Sequence, residues 1–230
     1  MTKNNSVCIV GMGFVGLTLA VVMAEAGHKV IGVEINKDTV KKLKSGEAHF
    51  FEVGLEKRLK RAIVAKKLHI TSNIEESEGF NYFIITVGTP LDHVGNPRLD
   101  MVKRAAIEVA SVMKDEAVVI LRSTVRLGTT RNVILPILED SKINFHLAFC
   151  PERTIEGNAL AELNSLPQIC GGRNSEDAWF ASQLFQSITP TTIRVSSIEA
   201  AELVKLLDNS YRDLTFAFGN EVALMCEAVG

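Results

Sequence analysis

The most constraining feature of the chain is Gly11-Met12-Gly13-Phe14-Val15-Gly16, set between an apolar run, Val7 to Val10, and an apolar stretch from Phe14 to Ala26. Between a buried strand and a helix, glycines at G-x-G-x-x-G spacing do separate jobs. Gly11 permits a tight turn, Gly13 lets a pyrophosphate approach the main chain, and Gly16 lets the helix pack closely on the strand. The helix start offers unpaired N–H groups and a partial positive charge to phosphates. Met12, Phe14 and Val15 complete a loop whose main chain would face the ligand. Glu34 ends the next apolar run, 18 residues after Gly16. A carboxylate there can accept hydrogen bonds from ribose hydroxyls and would repel a 2′-phosphate, which favours NAD over NADP. The plainer alternative is a structural turn followed by a solvated strand end.

Downstream, short runs rich in Val and Ile alternate with helical stretches. Strands are expected at Val7 to Val10, His28 to Glu34, Leu68 to Thr71, Tyr82 to Val87, Ala117 to Leu121, Phe145 to Phe149, Gln168 to Cys170 and Thr192 to Val195. Helices are expected at Phe14 to Ala26, Lys37 to Leu43, Leu55 to Ala65, Met101 to Met113, Thr129 to Leu138 and Glu176 to Phe185. This alternation predicts an α/β fold, a doubly wound, Rossmann-like parallel sheet covered on both faces. At 230 residues a chain buries roughly 70% of its extended surface, enough for a sizeable core.

The last segment differs. From Ser197 to Val229 there is no proline, and Ile198, Ala201, Val204, Leu207, Tyr211, Leu214 and Phe218 recur at helical intervals. Ser196 and Glu199 have capping-box spacing. A single helix of roughly 50 Å follows, too long for one sheet face. The expected division is a cofactor domain over residues 1–196 and a long helix over 197–230, the N-terminal part of something longer.

Two further loops leave the carboxyl ends of expected strands, where open parallel sheets bind ligands. One is Val87-Gly88-Thr89-Pro90 and the other Leu121-Arg122-Ser123-Thr124. Each brings a hydroxyl to the cofactor crevice, although each could equally be a turn or helix-start residue. The net charge of −2 argues against a dedicated nucleic-acid binder, which needs a basic surplus. No apolar run reaches the length of a membrane span, and the polar start, Met1 to Ser6, lacks a signal-peptide pattern. The cytoplasm is therefore expected. Cys8, Cys150, Cys170 and Cys226 are scattered with no C-x-x-C pair, so neither a disulfide framework nor a metal site is expected.

Taken together, G-M-G-F-V-G, V-G-T-P, I-L-R-S-T-V-R-L-G-T-T, C-P-E-R-T-I-E-G-N and A-E-L-V-K-L-L-D-N-S-Y-R-D resemble, in order and spacing, the UDP-glucose/GDP-mannose dehydrogenase family. P-E-R and N-S-Y-R-D are closer to the branch acting on UDP-N-acetylmannosamine. The glycine fingerprint is shared by many folds. The P-E and K-x-x-x-N segments, found together, are far more specific.

The resemblance implies oxidation of a sugar C6 alcohol to a carboxylate in two hydride transfers to NAD, with a UDP-sugar as substrate and no nucleic acid or membrane as partner. It also implies a homodimer built on the long helix. Gly11, Gly13, Gly16 and Glu34 would bind NAD. Thr89, Ser123 and Thr124 would line the nicotinamide side, and Thr124 would order a water. Glu152 would stand near cofactor and water, and Glu156 near the reacting carbon. Lys205 and Asn209, four residues apart on one helix face, would stabilise a developing alkoxide. Taken singly, Lys205 could be an exposed helix lysine and the glutamates solvated loop residues.

Two departures stand out. Gly88 replaces the usual proline of V-P-T-P. The family's nucleophilic cysteine, in a G-G-x-C loop beyond the long helix, has no counterpart here, nor does the C-terminal UDP-binding domain. The chain alone is therefore expected to bind NAD without completing the oxidation. The rival readings are a β-hydroxyacid dehydrogenase making one hydride transfer, against which P-E-R-T-I-E-G speaks, and a non-enzymatic NAD-binding module.

Overall fold

A computed structural model describes residues 5–230; the polar start, residues 1–4, lies outside them. The described residues form eight strands: β1 (Ser6–Val10), β2 (Lys29–Val33), β3 (Leu68–Thr71), β4 (Tyr82–Ile85), β5 (Ala117–Leu121), β6 (Phe145–Phe149), β7 (Gln168–Gly172) and β8 (Thr192–Val195). They form one sheet in the order β3-β2-β1-β4-β5-β6-β7-β8. The first six strands follow the doubly wound dinucleotide-binding order and are parallel throughout.

The helices are α1 (Phe14–Glu25), α2 (Lys37–Lys44), α3 (Leu55–Val64), α4 (Asp100–Val112), α5 (Leu135–Glu139), α6 (Ala159–Ser165), α7 (Ser175–Phe185) and α8 (Ile198–Val229). Alternation along each strand builds two cores. Val7 and Ile9 of β1 point into one, with α1, α2, α3, α6 and α7. Cys8 and Val10 point into the other, with α4, α5 and the first turns of α8. Period-two side-chain direction in a sheet covered on both faces explains why most strand residues are apolar.

Three local expectations are corrected. First, the sheet is mixed: β7 runs antiparallel to β6, and β8 runs parallel to β7. After β6 the chain crosses the carboxyl edge as the loop 150–158 and re-enters the sheet from that same edge. Gln168, the first residue of β7, accordingly meets Arg122 at the end of β5, so β7 has to run the other way.

Second, Thr129 to Leu138 is not one regular helix. A wide turn, Thr130–Ile134, precedes α5, and the Leu135 N–H reaches five residues back to the Thr130 carbonyl. Pro136 supplies no N–H at the point where an α-helix would need one. Third, the cap of α8 is Ser197, not Ser196: the Ser197 hydroxyl accepts from the Ala200 N–H at 3.1 Å. Glu199 does not reach back into a capping box but pairs with Arg131 at 2.5 Å.

Candidate active site

The site begins at the glycine loop. Gly11 has φ +96°, a left-handed conformation that glycine adopts without strain. A Cβ on Gly16 would lie 1.9 Å from the Gly11 carbonyl oxygen, so α1 can start here only over a bare glycine. Gly13 is different: a Cβ there would meet nothing within 4 Å. The protein's own packing does not require a glycine at that position, and the space beside it is open to a ligand. Gly13 is the N-cap of α1, with no side-chain cap and no acid in the first turn. The first-turn amides therefore face the opening with their positive potential uncompensated, which fits a diphosphate.

The Glu34 carboxylate curls under this loop. One oxygen accepts from the Met12 N–H at 3.0 Å and the other from the Asn36 N–H at 2.9 Å. It lines a cleft of about 550 Å3 together with Gly11, Gly13 and Asn36. Met12 takes part only through its main chain, since its side chain is buried and its sulfur lies over Gly32 of β2.

A second cleft, of about 600 Å3, opens on the other side of the loop. Gly13, Thr86, Val87 and Gly88 line both clefts, so an elongated ligand can pass from one to the other over the glycine turn. Phe14, Val15, Thr89, Ser123, Thr124, Glu152, Glu156 and Lys205 all line this second space. One loop hydroxyl is buried in cross-links: Ser123 Oγ donates to the Val87 carbonyl at 2.7 Å. Thr89 Oγ1 likewise donates to the Thr124 carbonyl at 2.7 Å. These two bonds tie the β4 and β5 loops together, giving the Gly88 loop an anchor that its missing proline does not supply. Thr124 itself is exposed in the cleft.

Beneath the cleft lies the buried pair Arg122–Glu152. Arg122 Nε and Nη2 donate to one Glu152 oxygen at 2.9 and 2.5 Å. Nη1 donates to the Cys150 carbonyl at 3.1 Å and to Gln168 Oε1 at 2.8 Å. The other Glu152 oxygen accepts from the Arg153 and Thr154 amides, both at 2.8 Å. Burial alone would raise the Glu152 carboxyl, but the Arg122 charge and these hydrogen bonds together hold it below the usual range. Glu152 is thus a fixed anion that accepts hydrogen bonds.

Lys205, on α8, is half-buried. Desolvation lowers its pKa, opposed by the charges of Glu152 and Asp208 and reinforced by Arg212 and Arg122. Partial desolvation thus makes the Lys205 ammonium easier to deprotonate than an exposed lysine, while the neighbouring carboxylates favour its charge. Glu156 is exposed on the loop 150–158, which is fastened where the Gly157 N–H donates to buried Glu52 at 2.7 Å. Asn209 is half-buried one turn beyond Lys205. Its side-chain oxygen accepts from Arg212 at 3.3 Å, and it is not among the residues lining the cleft.

Sequence reading missed Arg122, Glu52, Gln168 and Arg212. The one available cue was an arginine at the end of an otherwise apolar strand run, Ala117 to Arg122. Cys8, Cys150 and Cys170 are buried and only Cys226 is exposed. Burial pushes the Cys8 thiol up to about 12 and Cys150 well above its ordinary value. Among the described residues no cluster of potential metal ligands occurs and no helix is long and apolar enough to cross a membrane.

Known proteins resemble this chain in sequence and in fold. Residues 5–189 match the NAD binding domain of the UDP-glucose/GDP-mannose dehydrogenase family. A UDP-N-acetyl-D-mannosamine dehydrogenase of Pyrococcus horikoshii is 35% identical over 229 residues, covering 97% of this chain and 54% of that protein. The solved structure of the UDP-D-ManNAc dehydrogenase from the same organism superposes with a TM-score of 0.91 at 36% identity, over 96% of this chain and 53% of that one. A ternary complex of GDP-mannose dehydrogenase from Pseudomonas aeruginosa gives a TM-score of 0.92 at 26% identity, over 97% and 53%. The chain thus spans about half the length of the relatives it matches.

Proposed function

The chain belongs to the UDP-glucose/GDP-mannose dehydrogenase family, and from that premise we propose that it supplies the NAD-binding half of an enzyme oxidising the C6 hydroxyl of a UDP-N-acetylhexosamine. The N-acetylmannosamine sugar is favoured by the relatives named above. In this reading residues 1–196 bind the cofactor and residues 197–230 form the helix leading to the part that carries the nucleophilic cysteine and grips the UDP group. Oxidation to the uronic acid then takes two hydride transfers. The isolated chain binds NAD but does not complete them.

The observation that carries the reading is the continuity of the two clefts over Gly13, with Lys205 and Glu152 together in the second. When bound, NAD supplies the hydride acceptor. The first-turn amides of α1 hold the diphosphate, and Glu34 exchanges its bond to the Met12 amide for ribose hydroxyls. The Ser123 and Thr89 cross-links fix the walls of the second cleft, where the exposed Thr124 hydroxyl can hold a water. Lys205 places positive charge where an alkoxide develops, in a partly desolvated site where charge stabilisation is strong. Glu152, already saturated with donors, holds Lys205 by its field and is not itself the proton acceptor.

The test is titration of the chain with NAD by calorimetry. Saturable binding is expected, with no steady NADH formation on adding UDP-N-acetylmannosamine to this polypeptide alone. Absence of saturable binding to folded protein overturns the proposal. Sustained turnover overturns the claim that the remaining half is required.

A further inference from the structure

α8 leaves the body of the protein just beyond Lys205. Its fully buried residues are Ile198, Ala201 and Glu202, and from Ser210 onward every residue is exposed. Two devices fix the start of the helix: the Ser197 cap, and Gly171 on β7. A Cβ on Gly171 would lie 2.3 Å from the Ser197 carbonyl oxygen and 2.7 Å from the Ala201 Cβ, so the bare strand lets α8 lie against it.

The third device is a carboxylate. Glu202 has no exposed surface, and a buried charge is costly unless its oxygens are satisfied. Here one oxygen accepts from the Gly128 N–H at 2.5 Å. The other accepts from the Thr130 N–H at 2.8 Å and the Thr130 hydroxyl at 2.6 Å. Gly128 and Thr130 continue the loop that carries Ser123 and Thr124. The last buried residue of α8 therefore grips the nicotinamide-side loop three residues before Lys205.

We propose that Glu202 is a positioning residue for the reaction proposed above: by holding Gly128 and Thr130 it fixes the rotation and height of α8, and so seats Lys205 in the cleft beside Thr124. The inference rests on that functional reading. Lys205 lies about 4.5 Å further along the axis and about 60° around it. Beyond Glu202 no residue of the helix is fully buried and Val204 is the one packed against the core, so a change in seating at that anchor is carried to Lys205. The charged groups around the ammonium are Glu152 and Asp208, which favour its charge, and Arg212 and Arg122, which oppose it. If Lys205 leaves this half-buried seat for water, its pKa rises toward the ordinary lysine value.

The experiment is trace acetylation of the 230-residue chain across pH, reading the Lys205 peptide by mass spectrometry, with NAD affinity and circular dichroism measured on the same samples. In Glu202→Gln, NAD affinity should stay within about threefold of the wild type, because the glycine loop is untouched. The Lys205 midpoint should move up toward about 10.4, and Glu202→Asp should restore part of the difference. Arg131→Ala breaks only the neighbouring pair with Glu199 and should leave the Lys205 midpoint where it was. A folded Glu202→Gln protein with an unmoved midpoint overturns the proposal, as does an equal shift in Arg131→Ala. If Glu202→Gln does not fold, Thr130→Ala removes one bond from the other side, and the same two outcomes decide. Absence of NAD binding by the wild type overturns the functional reading instead; an unmoved Lys205 midpoint in Glu202→Gln, beside a wild type that binds NAD, overturns only the role of Glu202.

Discussion

Arg122 at the end of β5 and Glu152 just past β6 form an ion pair of 2.5 Å with both side chains nearly inaccessible to solvent. Removing one member of such a pair strands a buried charge. Arg122→Met should therefore destabilise the fold by about 3–5 kcal/mol, and the double change Arg122→Met with Glu152→Met by less, because no orphaned charge remains. Urea unfolding of the two variants is the check. A double variant less stable than the single one contradicts this account of the pair.

The same pair sets a pH dependence. The folded-state pKa of Glu152 lies below its unfolded value. Its stabilising contribution is thus fully present above the ordinary glutamate range, about 4.3, and is lost as pH falls through the depressed folded value. Melting temperature followed from pH 7 downward should fall more steeply in the wild type than in Glu152→Gln below that range. Parallel curves would assign the acid sensitivity to other carboxylates.

Two glycines of the loop, Gly13 and Gly16, should separate by the effect of a methyl group. Gly13→Ala puts a methyl group into open space at an N-cap, with a stability cost of about 1 kcal/mol or less, yet should weaken NAD binding at least about tenfold, or about 1.4 kcal/mol. Gly16→Ala drives a Cβ to 1.9 Å from the Gly11 oxygen and should unfold or grossly destabilise the chain. Calorimetry and thermal melts read the two effects apart. Unchanged NAD affinity in Gly13→Ala would remove the diphosphate from that position.

What was legible in the sequence was local. Glycine spacing, the acid closing β2 and the alternation of strand and helix all act within a few tens of residues, so Gly11, Gly13, Gly16 and Glu34 could be read directly. Arg122 could not, because its partners lie 28, 30 and 46 residues further along the chain: two meet it only once β6 has paired with β5, and the third once β7 has turned back. Glu202 is the same case over 72 and 74 residues. The mistaken cap at Ser196 shows a subtler limit. Two adjacent serines offer the same chemistry, and the close contact of Ser197 with Gly171, together with the claim of Arg131 on Glu199, settles which one caps.

In the function proposed here, coenzyme choice rests on Glu34. Its carboxylate lines the first cleft and would oppose a 2′-phosphate. Glu34→Gln removes the charge while keeping the shape, and should narrow the preference for NAD over NADP chiefly by improving NADP binding. Competition titrations of both coenzymes measure the ratio. A ratio unaffected by the substitution would place the discrimination elsewhere.

The distal half of α8 makes the last prediction. Tyr211, Leu214, Phe218 and Met225 share one stripe and are between 64% and 75% exposed, on a helix that has no packing partner there among the described residues. Contiguous exposed apolar area of this kind marks an interaction surface. The occupant we expect is a second copy of the same helix, packed side by side. Sedimentation of the chain should show concentration-dependent dimerisation. Leu214→Glu with Phe218→Glu should abolish it and leave NAD affinity unchanged, since both residues lie beyond the turn that carries Lys205. The paired charges touch nothing in the folded monomer, so thermal stability extrapolated to low concentration should shift by no more than about 0.5 kcal/mol. A chain that stays monomeric at high concentration, with or without the substitutions, would show that this face meets another part of the complete enzyme and not its own copy.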